Sequence, residues 1–182
     1  MFVIIYFVIQ IFIKFAKIRF MKKAAFLDRD GVINVDHGYV GKIEDFSWCD
    51  GVFEGLLRLK ELGFELVIIT NQSGIARGYY SGADFKRLTK WMLTGLEKQG
   101  ISVLKVYHCP HAPELGCECR KPKPGMILKA ASELEIDLKN SILIGDKDSD
   151  IAAGLSAGVG ANFKLGKDFA SLKEVAFSLK IK

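Results

Sequence analysis

The 182-residue chain is 49% hydrophobic and 26% charged, proportions that suit one globular domain and exclude a disordered one. Its formal charge of +5 makes no case for nucleic acid: Lys14, Lys17 and Arg19 all precede Met21, and beyond it 23 basic residues face 21 acidic ones without a basic stripe. Four cysteines, three of them between positions 109 and 119, exclude the disulfide framework of a small secreted domain and point to a reducing, cytoplasmic setting and a metal site.

Residues 1–20 form an apolar leader. Met1 to Ile13 carries no charge, and Gln10 is its single polar side chain. As a helix that run would span about 20 Å, short of the roughly 30 Å hydrocarbon core. Its positive charges follow the apolar run and no small-residue cleavage site appears, so a secretory signal is not indicated. The leader reads as an upstream mis-start, with a weak membrane anchor as the alternative, and residues 21–182 read as the folded domain. No membrane partner is expected, and a monomer is.

From Ala24 onward short apolar runs alternate with amphipathic stretches, the pattern of parallel strands joined by crossover helices. Strands are expected at Ala24 to Asp28, Leu66 to Thr70, Val103 to Tyr107, Ile142 to Asp146 and Val159 to Leu165. Val52, Leu56 and Leu59 place a helix over Val52 to Leu62. Phe85, Leu88, Met92 and Leu96 place a second, with Ser81 and Asp84 as its capping box. Two more should cover Gly125 to Glu135 and Ser149 to Ala157. The fold class is therefore α/β, a doubly wound parallel sheet, which binds ligands at the carboxyl ends of its strands.

The chemistry-bearing residues fall at those ends. Asp28 and Asp30 leave the first strand as a carboxylate pair, suited to a hard cation and to an ionised nucleophile beside a group that handles protons; taken alone, the pair is equally a solvated turn. Thr70-Asn71-Gln72-Ser73-Gly74 ends the second strand with a hydroxyl and turn amides that can receive phosphoryl oxygens, or forms an ordinary polar turn. Asp146 can complete a magnesium site after the fourth strand, and Asp150 either joins it or caps the next helix. Before that strand, Arg120, Lys121 and Lys123 lie among prolines in an extended segment, where an ammonium or guanidinium would offset charge on a phosphoryl group.

These four pieces, in this order, resemble the haloacid dehalogenase superfamily of phosphotransferases over about Ala24 to Gly166. The resemblance implies that Asp28 is the nucleophile that becomes an aspartyl phosphate and Asp30 the general acid and base. It also implies that Asp28, Asp30 through its carbonyl and Asp146 hold Mg²⁺, and that Thr70 and Lys121 clamp the phosphoryl group. A receiver domain would carry its phosphorylated aspartate at the end of the third strand, where this chain has Val106-Tyr107-His108-Cys109.

Cys109-Pro110-His111 and Cys117-Glu118-Cys119 bring three thiols and an imidazole within eleven residues. Such a set closes a tetrahedral zinc shell with no position left for substrate, so the zinc is expected to be structural. His108 competes with His111 as the nitrogen ligand, and Cys49 stands apart. A zinc loop leading into Arg120-Lys121-Pro122 resembles the histidinol-phosphatase subfamily. That likeness implies that Asp36, His37, Gly38 and Tyr39, with Thr70, Asn71, Gln72 and Ser73, border a phosphorylated substrate recognised by Arg120 and touched by Lys147. Residues 36 to 39 are otherwise a plain surface loop. With no large cap domain between the first two strands, selectivity falls to loops, and a small phosphorylated sugar is the expected substrate. Histidinol phosphate and a catalytically idle zinc-loop binding module are the alternatives.

Overall fold

The first strand, β1 (Ala24–Leu27), is fully buried because it is paired on both edges and packed on both faces. In the computed structural model, which describes residues 21–180, β1 pairs in parallel with β2 (Glu65–Asn71) and with β4 (Ile142–Gly145). β3 (Val103–Cys109) adds to β2 and β5 (Ala161–Lys164) to β4, all in parallel, giving the order β3-β2-β1-β4-β5. The crossovers from β1 and from β3 thus run in opposite directions across the sheet. The leader, with the mis-start and anchor readings attached to it, lies outside the described residues, among which no helix is long and apolar enough to cross a membrane.

Alternating side chains of the central strands feed two cores. Ala25, Leu27, Leu66 and Ile68 pack with residues of α1 (Val52–Glu61), α2 (Gly82–Lys98) and α5 (Leu172–Ser178). Ala24, Phe26, Val67, Ile69 and Leu143 pack with those of α3 (Gly125–Leu134) and α4 (Asp148–Ala157). This two-sided burial explains why the strands read as continuous apolar runs. The expected box at the start of α2 is present: Ser81 Oγ accepts from the Asp84 amide, and the Asp84 carboxylate accepts from the Ser81 amide.

Most ends fall within one residue of expectation, and three elements depart further for local reasons. β3 runs two residues further, to Cys109, because Asn71 and Cys109 remain in register at the end of β2. β5 begins two residues later than expected, because Val159 donates its amide to Gly154 O and closes the end of α4. Helix α5 has no counterpart in the periodicity reading, its seven residues being too few for a repeat. Its start was nonetheless written in the sequence as Ser171-Leu-Lys-Glu174: the Glu174 amide donates to Ser171 Oγ at 3.2 Å, and the Glu174 carboxylate accepts from the Ala170 amide at 2.8 Å.

Candidate active site

At the carboxyl edge, β1, β2 and β4 converge on a cleft of about 450 Å³. Asp28 follows β1, with its amide donating to Ile144 O, and the residue is only 6% exposed. Lys121, 3% exposed, reaches in from the segment before α3. Its Nζ lies 3.0 Å from Asp28 Oδ1 and 2.7 Å from Asp150 Oδ1, and donates to Ile69 O at 2.9 Å. Burial pushes the Asp28 carboxyl up to about 7, against the pull of the Lys121 ammonium. For Lys121, burial disfavours the charge, but Asp28 and Asp150 more than offset it, and its pKa rises.

Carboxylate oxygens of Asp28, Asp146 and Asp150 lie within 4.8 Å of one another. Burial raises the Asp146 pKa, and its buried Oδ1 has no hydrogen-bond partner. An orphaned hard oxygen beside two further carboxylates fits a divalent cation such as Mg²⁺. Asp150 takes the capping part and also pairs with the buried lysine. Its Oδ2 accepts from the Lys147 amide at 3.0 Å at the start of α4, and its Oδ1 meets Lys121. Gly31 is required between these carboxylates: its φ is +85°, and a Cβ there would stand 2.4 Å from Asp146 Oδ2.

Asp30 lies on the cleft wall, held by donors. Arg29 Nη2 reaches Oδ1 at 2.7 Å and Oδ2 at 3.0 Å, Asn34 Nδ2 reaches Oδ1 at 3.0 Å, and Gln72 Nε2 reaches Oδ2 at 2.9 Å. Thr70 sits just beneath the surface with no exposure, its hydroxyl accepting from Gln72 Nε2 at 2.7 Å. Asn71 brackets the backbone of Lys121, donating to its carbonyl and accepting from its amide, each at 3.1 Å. These bonds tie the end of β2 to the lysine segment 50 residues away.

Of the remaining expected residues, Asp36, Gly38, Tyr39, Asn71, Gln72, Ser73, Arg120 and Lys147 also line the cleft. Lys147 Nζ donates to Asp36 Oδ2 at 2.8 Å, linking loops from β4 and β1. Burial alone would raise the Asp36 pKa, but this bond and the Gly38 amide bring it below the usual carboxylate range. His37 is not brought to the cleft; it turns to a separate shallow depression beside Glu44, Asp45 and Ser47. Lys123 also turns away, to Gly116 O at 2.9 Å and Glu118 Oε1 at 2.7 Å. Tyr80, Pro122 and Ser149 line the cleft without having been singled out in the sequence.

The three clustered thiols and His111 meet beside the cleft. Cys109 Sγ lies 3.5 Å from Cys117 Sγ, Cys119 Sγ lies 3.4 Å from Cys117 Sγ, and His111 Nδ1 lies 3.3 Å from Cys119 Sγ and 3.6 Å from Cys109 Sγ. A tetrahedron of sulfur ligands about 2.3 Å from zinc has edges of about 3.8 Å, so the four atoms stand close to a ready-made shell. Burial opposes ionisation of Cys117, but hydrogen bonds from the Cys119 and Cys109 thiols bring it down to about 7. His108 is excluded from the group, because its ring packs against Phe85 with centroids 4.2 Å apart. Arg120 Nη1 donates to His111 O at 3.3 Å, coupling the thiol cluster to the cleft.

A family model described as HAD-hyrolase-like matches residues 118–162, the stretch from the thiol loop through the acidic turn after β4 and α4 into the start of β5. D-glycero-alpha-D-manno-heptose-1,7-bisphosphate 7-phosphatase of Campylobacter jejuni is 52% identical over 162 residues, covering 84% of this chain and 93% of its own length. The chain belongs to the D-glycero-D-manno-heptose 1,7-bisphosphate 7-phosphatase family. Within this family D-glycero-beta-D-manno-heptose-1,7-bisphosphate 7-phosphatase of Helicobacter pylori is 54% identical over 144 residues, covering 79% of this chain and 83% of its own. Among solved structures, D,D-heptose 1.7-bisphosphate phosphatase from B. bronchiseptica, complexed with magnesium and phosphate, superposes with a TM-score of 0.78 at 31% identity. That match covers 86% of this chain and 97% of the other. The family fold thus agrees with the parallel sheet and the carboxyl-edge cleft described above.

Proposed function

We propose that the chain hydrolyses the C7 phosphate of D-glycero-D-manno-heptose 1,7-bisphosphate through an aspartyl phosphate on Asp28, leaving heptose 1-phosphate for nucleotide-heptose and surface-glycan synthesis. The observation that carries this reading is the buried Asp28 carboxylate, held 3.0 Å from the Lys121 ammonium at the floor of a cleft sized for a small phosphorylated sugar, in a chain half identical to heptose bisphosphate phosphatases.

In this reading an Asp28 carboxylate oxygen attacks phosphorus while Asp30 gives a proton to the departing sugar oxygen. Asp30 then takes a proton from the water that attacks the aspartyl phosphate, and Asp28 is regenerated. Lys121 and Thr70 face the transferring oxygens, and Arg120, Lys147 and the Asp36–Tyr39 loop hold the far end of the substrate. Asp28, Asp146 and the Asp30 carbonyl, with Asp150, would hold Mg²⁺, which when bound neutralises charge on the phosphoryl oxygens. Cys109, His111, Cys117 and Cys119 would hold a structural Zn²⁺ that braces Arg120. A thiol cluster arranged to hold a metal fits a cytoplasmic enzyme, which we take to act as a monomer.

The test is phosphate release from the α- and β-anomers of heptose bisphosphate, fructose bisphosphate and histidinol phosphate. A heptose anomer should be turned over best, with Mg²⁺ required; preference for histidinol phosphate would reject the sugar assignment. Asp30→Asn should lower turnover of the heptose substrate by about 10²-fold or more, the usual worth of general acid and base catalysis. A loss below about tenfold would remove Asp30 from proton transfer.

The two metals should separate cleanly, because a closed thiolate shell is soft and an open carboxylate set is hard. Purified protein should carry about one zinc per chain that withstands mild chelation, while Mg²⁺ exchanges and must be added. Cys117→Ser should lose zinc, melt at lower temperature and raise KM together, since binding free energy of a structural metal is also folding free energy. Retention of stoichiometric zinc with wild-type melting and kinetics, measured by elemental analysis and steady-state assay, would reject the site.

A further inference from the structure

Tyr80 carries no role in the reading above, yet it stands in the cleft wall only 8% exposed and donates its phenol to Gln72 Oε1 at 2.6 Å. Its ring is gripped between two loops at glycines. A Cβ on Gly41, from the loop after β1, would lie 2.4 Å from Tyr80 Cγ and Cδ1. One on Gly74, from the turn after β2, would lie 2.3 Å from Cε1. Neither glycine has a left-handed φ, so what both positions require is the close approach of the ring.

Gln72, 2% exposed, uses its whole amide. Oε1 accepts from Tyr80, and the two Nε2 hydrogens go to Asp30 Oδ2 at 2.9 Å and Thr70 Oγ1 at 2.7 Å. Its main-chain amide is pinned to Cys109 O at 2.7 Å. An amide that turned over would aim an oxygen at the acceptor-only Asp30 carboxylate, so Gln72 faces Asp30 with Nε2, and the Tyr80 phenol, donating to Oε1, holds the amide in that orientation. The other donors to Asp30, Arg29 and Asn34, belong to the same loop as Asp30. Among the described residues Gln72 is the donor that ties the Asp30 carboxyl group to a different strand end, the one that carries Thr70.

We infer that Gln72, oriented by Tyr80, is a positioning residue for Asp30, holding its carboxyl group where it can pass a proton to the leaving sugar oxygen. The inference rests on the assignment of Asp30 as the general acid. In that step the Asp28–phosphorus bond forms, the phosphorus–ester oxygen bond breaks, and the electron pair left on the ester oxygen takes the Asp30 proton. A displaced Asp30 penalises an alkoxide, which needs that proton, and spares a nitrophenolate, which leaves without it.

The experiment compares kcat/KM for heptose bisphosphate and for p-nitrophenyl phosphate in wild type, Tyr80→Phe, Gln72→Met and the double variant, all with Mg²⁺. Tyr80→Phe keeps the ring that fills the glycine slot, so it should melt within a few degrees of wild type. Gln72→Met keeps the volume and removes the amide. Relative to the aryl ester, the sugar ester should lose about tenfold more in Tyr80→Phe and about 10²-fold more in Gln72→Met, whose lost bond to Thr70 Oγ1 lowers turnover of both esters alike. The double variant should be no worse than Gln72→Met, because the phenol acts through the amide. Equal losses on both esters, or additive losses in the double variant, overturn the inference while leaving the phosphatase reading in place. A wild type that hydrolyses neither ester overturns both.

Discussion

Asp28→Asn should remove turnover, by about 10⁴-fold or more on the scale of lost covalent nucleophiles, without unfolding the protein. An amide oxygen does not attack phosphorus and is a poor partner for a divalent cation. The native carboxyl is held at the cleft floor against a burial penalty that pushes it up to about 7, and a neutral amide of the same shape avoids that penalty. Melting in Mg²⁺-free buffer should therefore be unchanged or higher, while the stabilisation that Mg²⁺ gives the wild type is lost. Phosphate release together with thermal melts, with and without Mg²⁺, reads both effects. Turnover near wild type would reassign the nucleophile.

Lys121→Met should have the largest effect on stability, because the ammonium lies between Asp28 and Asp150 with all three groups buried. Leaving buried carboxylates without their cation costs about 3–5 kcal/mol. The sign of its pH dependence follows from Asp28. Burial has already raised that carboxyl to about 7, and loss of Lys121, which pulls it down, raises it further. The folded variant then binds a proton that the unfolded chain releases near the ordinary aspartate range of about 4. Its stability deficit should be greatest above pH 7 and shrink as the pH falls toward that range. Urea unfolding of metal-free protein across this range measures it. A deficit independent of pH would mean that Lys121 acts through packing, and turnover should be lost in either case.

The sequence by itself determined much of this protein. Runs such as Ala24 to Leu27 and Leu66 to Ile69 lack a polar face because both faces of a parallel sheet are covered, so the α/β class was legible from periodicity. Asp28, Asp30, Thr70 and Asp146 could be read as candidate site residues because they stand at or just after strand ends, where chain direction alone brings them to one edge, whereas Lys147 was implied by the family resemblance. Cys109, His111, Cys117 and Cys119 were legible for a related reason: a cluster spanning eleven residues needs no distant partner, although the choice of His111 over His108 waited on Phe85 occupying the latter.

Only the tertiary structure decided what lies one loop further from the strands. Whether His37 or Tyr39 turns to the cleft, and whether Lys121 or Lys123 does, depends on backbone torsions that the residue types leave free. The double engagement of Asp150 required α4 to begin within reach of a lysine 29 positions earlier in the chain. Tyr80 is the sharpest case, since nothing around it in the sequence marks it. Its place depends on Gly41 and Gly74, 33 residues apart, arriving on its ring, and that meeting follows from β1 and β2 lying side by side. Local pattern reports what a strand or helix buries, whereas the direction of a loop side chain is set by atoms that only the folded sheet brings near.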